Sequence, residues 1–280
     1  MYAELHCLSN FSFQRGASTA AELCVRAKEL GYAALAITDE CTMAGAVRAY
    51  EAAKDVGIHL ILGSEFRFAC GLKLLLLAAD HEGYTAICGL ITHARRNAEK
   101  GEYALTRADV PAAMSGVLAI WLPGEPPLVQ EELPSDSRTV IGEGGRGQEP
   151  RSRADLGLVS GNRRGIACSE REAQPPPPAP RPCIDSLITC AAPQSDPLGP
   201  SPETLATGHW LAAHFAERWI GVALHRQHGD ERRFAYAQAL ADALDIRLTA
   251  IGSAEMHVRG RRALHDVLAA IAAHSSVAEA

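Results

Sequence analysis

The chain has 280 residues and a net charge of −6, from 33 acidic and 27 basic side chains. Hydrophobic residues make up 47% of the chain, enough for the core of one large α/β domain or two small ones. The basic residues form no block, so the composition does not favour tight nucleic-acid binding by this chain alone.

The eight cysteines are scattered along the chain and form no C-x-x-C pair, which argues against a structural zinc knuckle. The strand pattern begins at Tyr2 and leaves no room for a signal peptide. The longest strongly apolar run, residues 72–79, is far too short to span a bilayer. We therefore predict a cytoplasmic protein with reduced cysteines and no membrane segment.

Strands and helices alternate from the start of the chain to about residue 130. The patterns predict strands at 2–6, 33–38, 58–63, 72–79 and 116–123, and helices at 18–31, 43–57 and 82–98. Thr19 and Glu22 form a capping box for the first helix, and Gly31 is placed to end it. Apolar strands that alternate with helices indicate a parallel sheet buried on both faces.

The pattern stops between residues 131 and 205, where Pro, Gly, Ser and Arg dominate and no period remains. A run of four prolines lies at 175–178. This composition predicts a disordered or extended insertion. A loop of this length inside a compact domain is itself unusual, and it leaves open a frameshift or an error in the gene sequence.

Regular patterns return in the last part of the chain. They predict a helix from 208 followed by a strand at 219–224, a helix at 231–245, a strand at 246–252 and a final helix at 261–273. The predicted domains are therefore a first part at 1–130, the insertion at 131–205 and a last part at 206–280. About seven strands, each followed by a helix or loop, favour a small (β/α) barrel over an open sheet.

Polar side chains stand at the predicted carboxyl ends of the strands, which converge on one mouth in such folds. These are His6, Asp39, Glu40, Glu65, Glu255 and His257. Imidazoles and carboxylates gathered in this way are ligands for Zn, Mn or Fe and serve phosphoester hydrolysis.

Structural roles for the same residues remain open. His6 could be a hydrogen-bonded residue at a strand end, and Asp39 could cap the helix that follows. Glu65 could be an exposed loop residue. We expect His93 and His265, which lie within helical patterns, to serve packing or the surface.

Several stretches, taken together and in order, resemble a known family. They are YAELHCLSNFSFQRGAS, GYAALAITDECTMAGAVRAYEAAK, LILGSEF, LLLLAADHEGYTAICGLITHARRNAEKGEYAL and MHVRGRRALHDVLAAI. The family is the N-terminal PHP (polymerase and histidinol phosphatase) domain of bacterial C-family DNA polymerases, in its error-prone branch. The likeness covers roughly residues 1–130 and 206–275. It implies an α/β fold, a distorted (β/α)7 barrel of the PHP type, here interrupted by a long disordered insertion.

The resemblance also implies a degraded metal site. His6 matches the first histidine of the family's H-x-H motif, and Leu8 stands in place of the second. Asp39 is kept, whereas Glu40 replaces a histidine, and Glu65 is kept. Ser253 and Glu255 stand where active members carry Asp-x-His, and His257 follows two residues later. Loss of imidazole ligands weakens a transition-metal site, so we expect no bound metal; Mn, Mg or Zn would be the candidates otherwise.

Three functional hypotheses follow. The first is a structural PHP module of an error-prone DNA polymerase, without the polymerase palm, since no D-x-D motif occurs. The second is a metal-dependent phosphoesterase or 3′–5′ exonuclease that uses the six polar residues above. The third is a decayed or truncated gene product. The resemblance implies as partners the rest of a polymerase, damage-response accessory proteins, a sliding clamp and DNA.

Overall fold

The computed structural model describes residues 2–124 and 199–278, which belong to one compact unit. The strands are β1 (Ala3–Glu4), β2 (Ala34–Ile37), β3 (His59–Arg67), β4 (Lys73–Ala78), β5 (Val117–Leu122), β6 (Glu217–Val222) and β7 (Arg247–Ala250). The α-helices are α1 (Ala20–Glu29), α2 (Ala46–Val56), α3 (His81–Arg96), α4 (Pro202–His214), α5 (Asp230–Leu244) and α6 (Arg262–Ala272). Most of the predicted insertion, with its proline run, lies outside the described residues.

The seven strands of the described residues form one curled sheet in which spatial order follows chain order, β1 to β7. Strand β1 is parallel to β2, β2 to β3, β5 to β6 and β6 to β7. Strand β4 is antiparallel to both β3 and β5. The all-parallel prediction is therefore wrong at β4, because residues 68–72 are too few to form the crossover that a parallel neighbour of β3 would need.

The segments that follow β1 and β7 meet and partly close the sheet into a half-barrel. An isolated parallel bridge joins Cys7 to Ala254. The Leu8 N–H donates to the Ala254 carbonyl, and the Ala254 N–H donates to the His6 carbonyl, both over 2.9 Å. These contacts bring the first and last parts of the chain together at the mouth, in agreement with the predicted seven-stranded barrel.

Helix ends follow local capping chemistry. The Thr19–Glu22 capping box is present, and Gly31 adopts a left-handed conformation just beyond the C-cap of α1, as predicted. Helix α4 begins at Pro202, inside the range predicted as insertion. Ser201 caps it by accepting a hydrogen bond from the Thr204 N–H, and proline suits the first helical position.

The core lies on both faces of the sheet. Strand β4 carries four leucines in a row, and their side chains alternate between the faces. Leu74 and Leu76 pack with Phe66 and with apolar residues of α3, α4 and α5. Leu75 and Leu77 pack with other buried residues on the opposite, inner face. The continuous apolar run is thus a strand buried on both sides, as predicted.

No described helix is long and apolar enough to cross a membrane.

Candidate functional site

The predicted site residues lie at the mouth of the half-barrel, at or beyond the carboxyl ends of β1, β2, β3 and β7. His6, Asp39 and Glu40 follow β1 and β2 within a few residues, and Glu255 follows β7. Glu65 lies inside β3 rather than after it, because β3 continues to Arg67. A parallel bridge between Glu40 and Glu65 fixes these two residues side by side.

His6 is a buried histidine whose two ring nitrogens both have protein partners. Its Nε2 lies 2.8 Å from Glu65 Oε2, and its Nδ1 lies 3.0 Å from Ser253 Oγ. Its side chain is 5% exposed and that of Glu65 is 2% exposed. Leu8, at the place of the missing histidine, is buried in the core. His6 therefore joins β1 to β3 and to the segment after β7.

Arg15 lies at the centre of the mouth, although nothing in the sequence pattern marked it as a site residue. Its Nη1 donates to Glu40 Oε2 over 2.5 Å and to Glu65 Oε1 over 2.7 Å. Its Nη2 donates to Glu255 Oε1 over 3.2 Å and lies 3.4 Å from Glu65 Oε2. One guanidinium thus bridges three carboxylates that come from three separate segments of the chain.

A tight loop at residues 9–17 holds Arg15 in this position. Gln14 has a left-handed backbone with a φ of 64°, and the N–H groups of Arg15 and Gly16 both donate to the Ser12 carbonyl. A Cβ on Gly16 would lie 1.9 Å from the Ser9 carbonyl oxygen, so only glycine fits there. The Ala17 N–H then donates to the Glu255 carbonyl and ties the loop to the end of the sheet.

Electrostatics within this cluster favour the charged forms. Burial raises the pKa of Glu65, but hydrogen bonds and charge from His6 and Arg15 outweigh it and hold that pKa well below its ordinary value. Burial lowers the pKa of Arg15, and the carboxylates of Glu65 and Glu40 more than offset it, so the guanidinium stays charged. Glu65 and Arg15 therefore form an ion pair at every ordinary pH.

Arg67 and Tyr103 form an outer layer around Glu40 and Glu65. Arg67 Nε donates to Glu65 Oε1 over 3.0 Å and lies 3.4 Å from Glu40 Oε1. The Tyr103 hydroxyl donates to Glu40 Oε1 over 2.9 Å. Burial and the Glu40 carboxylate together raise the pKa of Tyr103 above its ordinary value, which keeps the hydroxyl protonated as a donor.

Asp39 has a different set of partners, all in the loop at residues 9–12. Its Oδ1 accepts from the Ser9 N–H and the Ser12 hydroxyl, and its Oδ2 accepts from the Ser9 hydroxyl, each over 2.7 Å. Burial raises the pKa of Asp39, and these hydrogen bonds lower it only in part. Asp39 therefore anchors the loop that carries Arg15.

The two predicted residues after β7 separate in the structure. Glu255 contacts Arg15 through Oε1, and its Oε2 lies 2.7 Å from His265 Nε2 in α6. His257 turns to the start of α1, where its Nδ1 lies 2.8 Å from Ser18 Oγ. The helical pattern around His265 predicts a surface or packing role, and the spacing within a helix carries no sign of this contact with Glu255.

These residues do not fit a metal ion. The structure gathers His6, Glu40, Glu65 and Glu255, but the N–H groups of Arg15 point at the carboxylate oxygens that a metal would use. Asp39 and His257 have their own partners outside this cluster. Over residues 2–124 and 199–278, no group of three or more His, Cys, Asp or Glu side chains is arranged to hold a metal ion.

A cavity of about 380 Å³ opens beside the cluster. Its lining includes His6, Arg15, Glu65 and Glu255 of the cluster together with Lys73, His225, Arg233 and Tyr236. The cluster is therefore accessible from solvent on one side, with the Arg15 side chain 23% exposed.

Residues 4–119 match the PHP domain family. Over all 280 residues the chain is 44% identical to the error-prone DNA polymerase of Pseudomonas syringae pv. tomato and 42% identical to that of Pseudomonas syringae pv. syringae. It is 40% identical over the same length to the error-prone DNA polymerase of Pseudomonas aeruginosa. Each match covers the whole chain and 20% of the relative, so the chain spans about a fifth of the relatives' own length.

A solved structure shares the fold. The crystal structure of a protein from Bifidobacterium adolescentis, assigned as a metal-dependent phosphoesterase, matches with a TM-score of 0.50 and 15% identity. The match covers 93% of this chain and 89% of that one. At this identity the likeness concerns the fold, and it agrees with the barrel predicted from the sequence.

Proposed function

We propose that this chain is a structural module of an error-prone DNA polymerase. Residues 4–119 match the PHP domain family, and the whole chain is similar to the N-terminal region of such polymerases. In this proposal the module hydrolyses nothing itself. It supports the rest of the polymerase, which in the relatives makes up the remaining four fifths of the chain.

The proposal rests on one observation: the residues predicted as metal ligands already make hydrogen bonds and ion pairs with other protein groups. Both ring nitrogens of His6 and the oxygens of Glu65 and Asp39 are engaged by protein groups. Metal-dependent hydrolysis needs ligands that are free to bind the ion and a position left open for water. A mouth whose donors are bound to one another and to a guanidinium suits a structural role.

The cellular setting follows from the relatives and belongs to the same proposal. We place the protein in translesion synthesis and DNA repair in the cytoplasm, with DNA, a sliding clamp and damage-response accessory proteins as partners of the whole polymerase. The five cysteines in the described ranges are free thiols, three of them buried, in agreement with a reducing compartment.

The second candidate is a metal-dependent phosphoesterase or 3′–5′ exonuclease. The presence of Asp39 and Glu65 and the shared fold with a protein assigned as a phosphoesterase favour it. In this hypothesis the ions would be Mn, Mg or Zn, and Arg15 would have to leave the carboxylates first.

The third hypothesis, a decayed gene product, concerns residues 131–205. Reading the gene in all frames across this interval tests it.

The test of the non-hydrolytic role uses the purified chain with Mn²⁺, Mg²⁺ or Zn²⁺ or with EDTA. The substrates are a chromogenic phosphodiester and a labelled single-stranded oligonucleotide, and bound metal is measured by elemental analysis. We expect turnover no higher than that of Glu65→Gln and no stoichiometric metal. Metal-dependent hydrolysis that disappears in Glu65→Gln would establish the enzyme instead.

The supporting role is tested in a chimera. The first fifth of the Pseudomonas syringae polymerase is replaced by this chain, which aligns with it over 280 residues. We expect the chimera to extend a primer, whereas a variant without this region is unstable and inactive. A truncated polymerase that works as well as the chimera would refute the supporting role.

A further inference from the structure

We infer that Arg15 is a built-in cation that replaces the charge of metal ions at the mouth and keeps divalent ions out of it. The inference rests on the proposed non-hydrolytic role and adds a cause to it. The mouth does not fit a metal because the chain supplies its own positive charge at that point, and not only because imidazole ligands are missing.

The geometry of the guanidinium supports this inference. Its two terminal nitrogens contact Glu40, Glu65 and Glu255 at 2.5–3.4 Å, and these residues follow β2, lie in β3 and follow β7. A divalent ion placed among the same carboxylates would join the same three segments. Arg15 therefore makes the connections that a bridging metal makes, with hydrogen bonds in place of coordination bonds.

The carboxylate oxygens are already engaged. Glu65 Oε1 accepts from Arg15 and Arg67, and Glu65 Oε2 contacts His6 and Arg15. A carboxylate offers about four acceptor positions, and all of those on Glu65 are used. A metal ion could bind only by displacing a guanidinium that is held by charge at 2.5 Å and 2.7 Å.

The choice of arginine has a chemical reason. A guanidinium is planar, presents five donors and stays protonated in proteins, so it can satisfy several carboxylates at once. It is also less strongly hydrated than an ammonium group, which lowers the cost of holding it in a site with 23% of its side chain exposed. Neither a chelator nor a change of pH removes a cation of this kind.

If Arg15 is lost, three carboxylates are left without their central positive charge. An oxygen-rich set of this type favours Mn²⁺ or Mg²⁺. As they stand, the described side chains are not arranged to hold a metal ion. In Arg15→Gln we expect Glu40, Glu65 and Glu255, freed from the guanidinium, to rearrange around a divalent ion, with His6 beside them.

Thermal unfolding is measured for wild type, Arg15→Gln and Arg15→Lys, each in 1 mM EDTA and in increasing concentrations of MnCl₂. Binding of Mn²⁺ to the same three proteins is measured separately by calorimetric titration. The control is Arg26→Gln, which breaks an exposed ion pair with Glu29 in α1. We expect wild type and control to shift in Tm by less than about 1 °C with Mn²⁺. Arg15→Gln should unfold earlier in EDTA and gain about 5 °C or more with saturating Mn²⁺, with one binding event.

Arg15→Lys keeps the positive charge without the planar fork, so we expect it to melt between wild type and Arg15→Gln in EDTA and to gain less from Mn²⁺. If Arg15→Gln does not fold in EDTA, circular dichroism after refolding with Mn²⁺ replaces the melting curve, and recovery of structure is the expected result. An Arg15→Gln variant that gains nothing from Mn²⁺ overturns the inference while leaving the non-hydrolytic role intact. Saturable binding of Mn²⁺ at the mouth of wild type overturns both.

Discussion

Glu65→Gln removes a buried negative charge that His6, Arg15 and Arg67 all contact. Glutamine keeps the shape of the side chain but loses the charge, and its amide group presents N–H donors where a carboxylate oxygen accepted hydrogen bonds. The substitution therefore leaves the packing of β3 in place and changes the electrostatics of the mouth.

The expected cost follows from burial. Removing one partner of a buried ion pair costs about 3–5 kcal/mol, because the remaining charge is left without compensation. Glu65 is 2% exposed, but Arg15 and Arg67 are 23% and 41% exposed, so water compensates part of their charge. We expect the free energy of unfolding to fall by about 2–4 kcal/mol at pH 7, or about 5–15 °C in Tm for a domain of this size.

The pH dependence gives an independent check with a defined sign. The pKa of Glu65 is lowered in the folded state, whereas a glutamate in the unfolded chain has a pKa of about 4.3. The stability that Glu65 contributes is therefore fully present above that value and is lost as the pH falls toward the folded pKa. The difference between wild type and Glu65→Gln should stay constant from pH 7 to about pH 5 and shrink below about pH 4.

The assay is equilibrium urea unfolding followed by circular dichroism between pH 3 and pH 7. Glu29→Gln is the matched control, because the Glu29 carboxylate pairs with Arg26 on an exposed face of α1. This substitution should change the free energy of unfolding by less than about 0.5 kcal/mol. The reasoning fails if Glu65→Gln is within about 0.5 kcal/mol of wild type at pH 7, or if the gap between them widens in acid.

Three further substitutions test the fold. Thr19→Ala removes the capping box of α1 and should cost about 1 kcal/mol in urea unfolding; an unchanged midpoint would contradict the role of the cap. Phe66→Ala empties a fully buried position and should cost about 3–5 kcal/mol, and a loss below about 1 kcal/mol would mean that this core relaxes freely. Gly83→Ala would place a Cβ 1.8 Å from the Gly116 carbonyl oxygen. We expect the free energy of unfolding to fall by about 1–3 kcal/mol or more, which lowers the Tm by several degrees. A Tm equal to that of wild type would show that the two segments separate easily.

Much of the fold could be predicted because its signals are local. The capping box at Thr19 and the glycine at position 57 mark helix ends through backbone chemistry that acts within one turn. The direction of β4 could not be predicted from its apolar run, because a strand buried on both faces has the same composition in either direction. The short connection to β3 was the available signal.

The candidate site, like the fold, could be predicted from the sequence only in part. The sequence placed His6, Glu40, Glu65 and Glu255 at one mouth because strand ends converge, and the structure brings these four together. The sequence did not indicate Arg15, because the loop at 9–17 has no period and the motifs used to find the site consist of metal-ligand residues, which do not include arginine. Charge balance is the signal that could have found it, because three carboxylates expected at one mouth favour a positive side chain close to them.

The mouth also constrains the order in which the protein can assemble. His6 and Ser253 are 247 residues apart in the sequence, and Arg15 and Glu255 are 240 apart. Closing a loop over such distances costs conformational entropy, and the segment after β7 leaves the ribosome only after the first six strands have been made. During synthesis the first five strands can therefore pair while the Arg15 loop still lacks its last acidic partner, and the mouth becomes complete only once β7 and the segment after it have emerged.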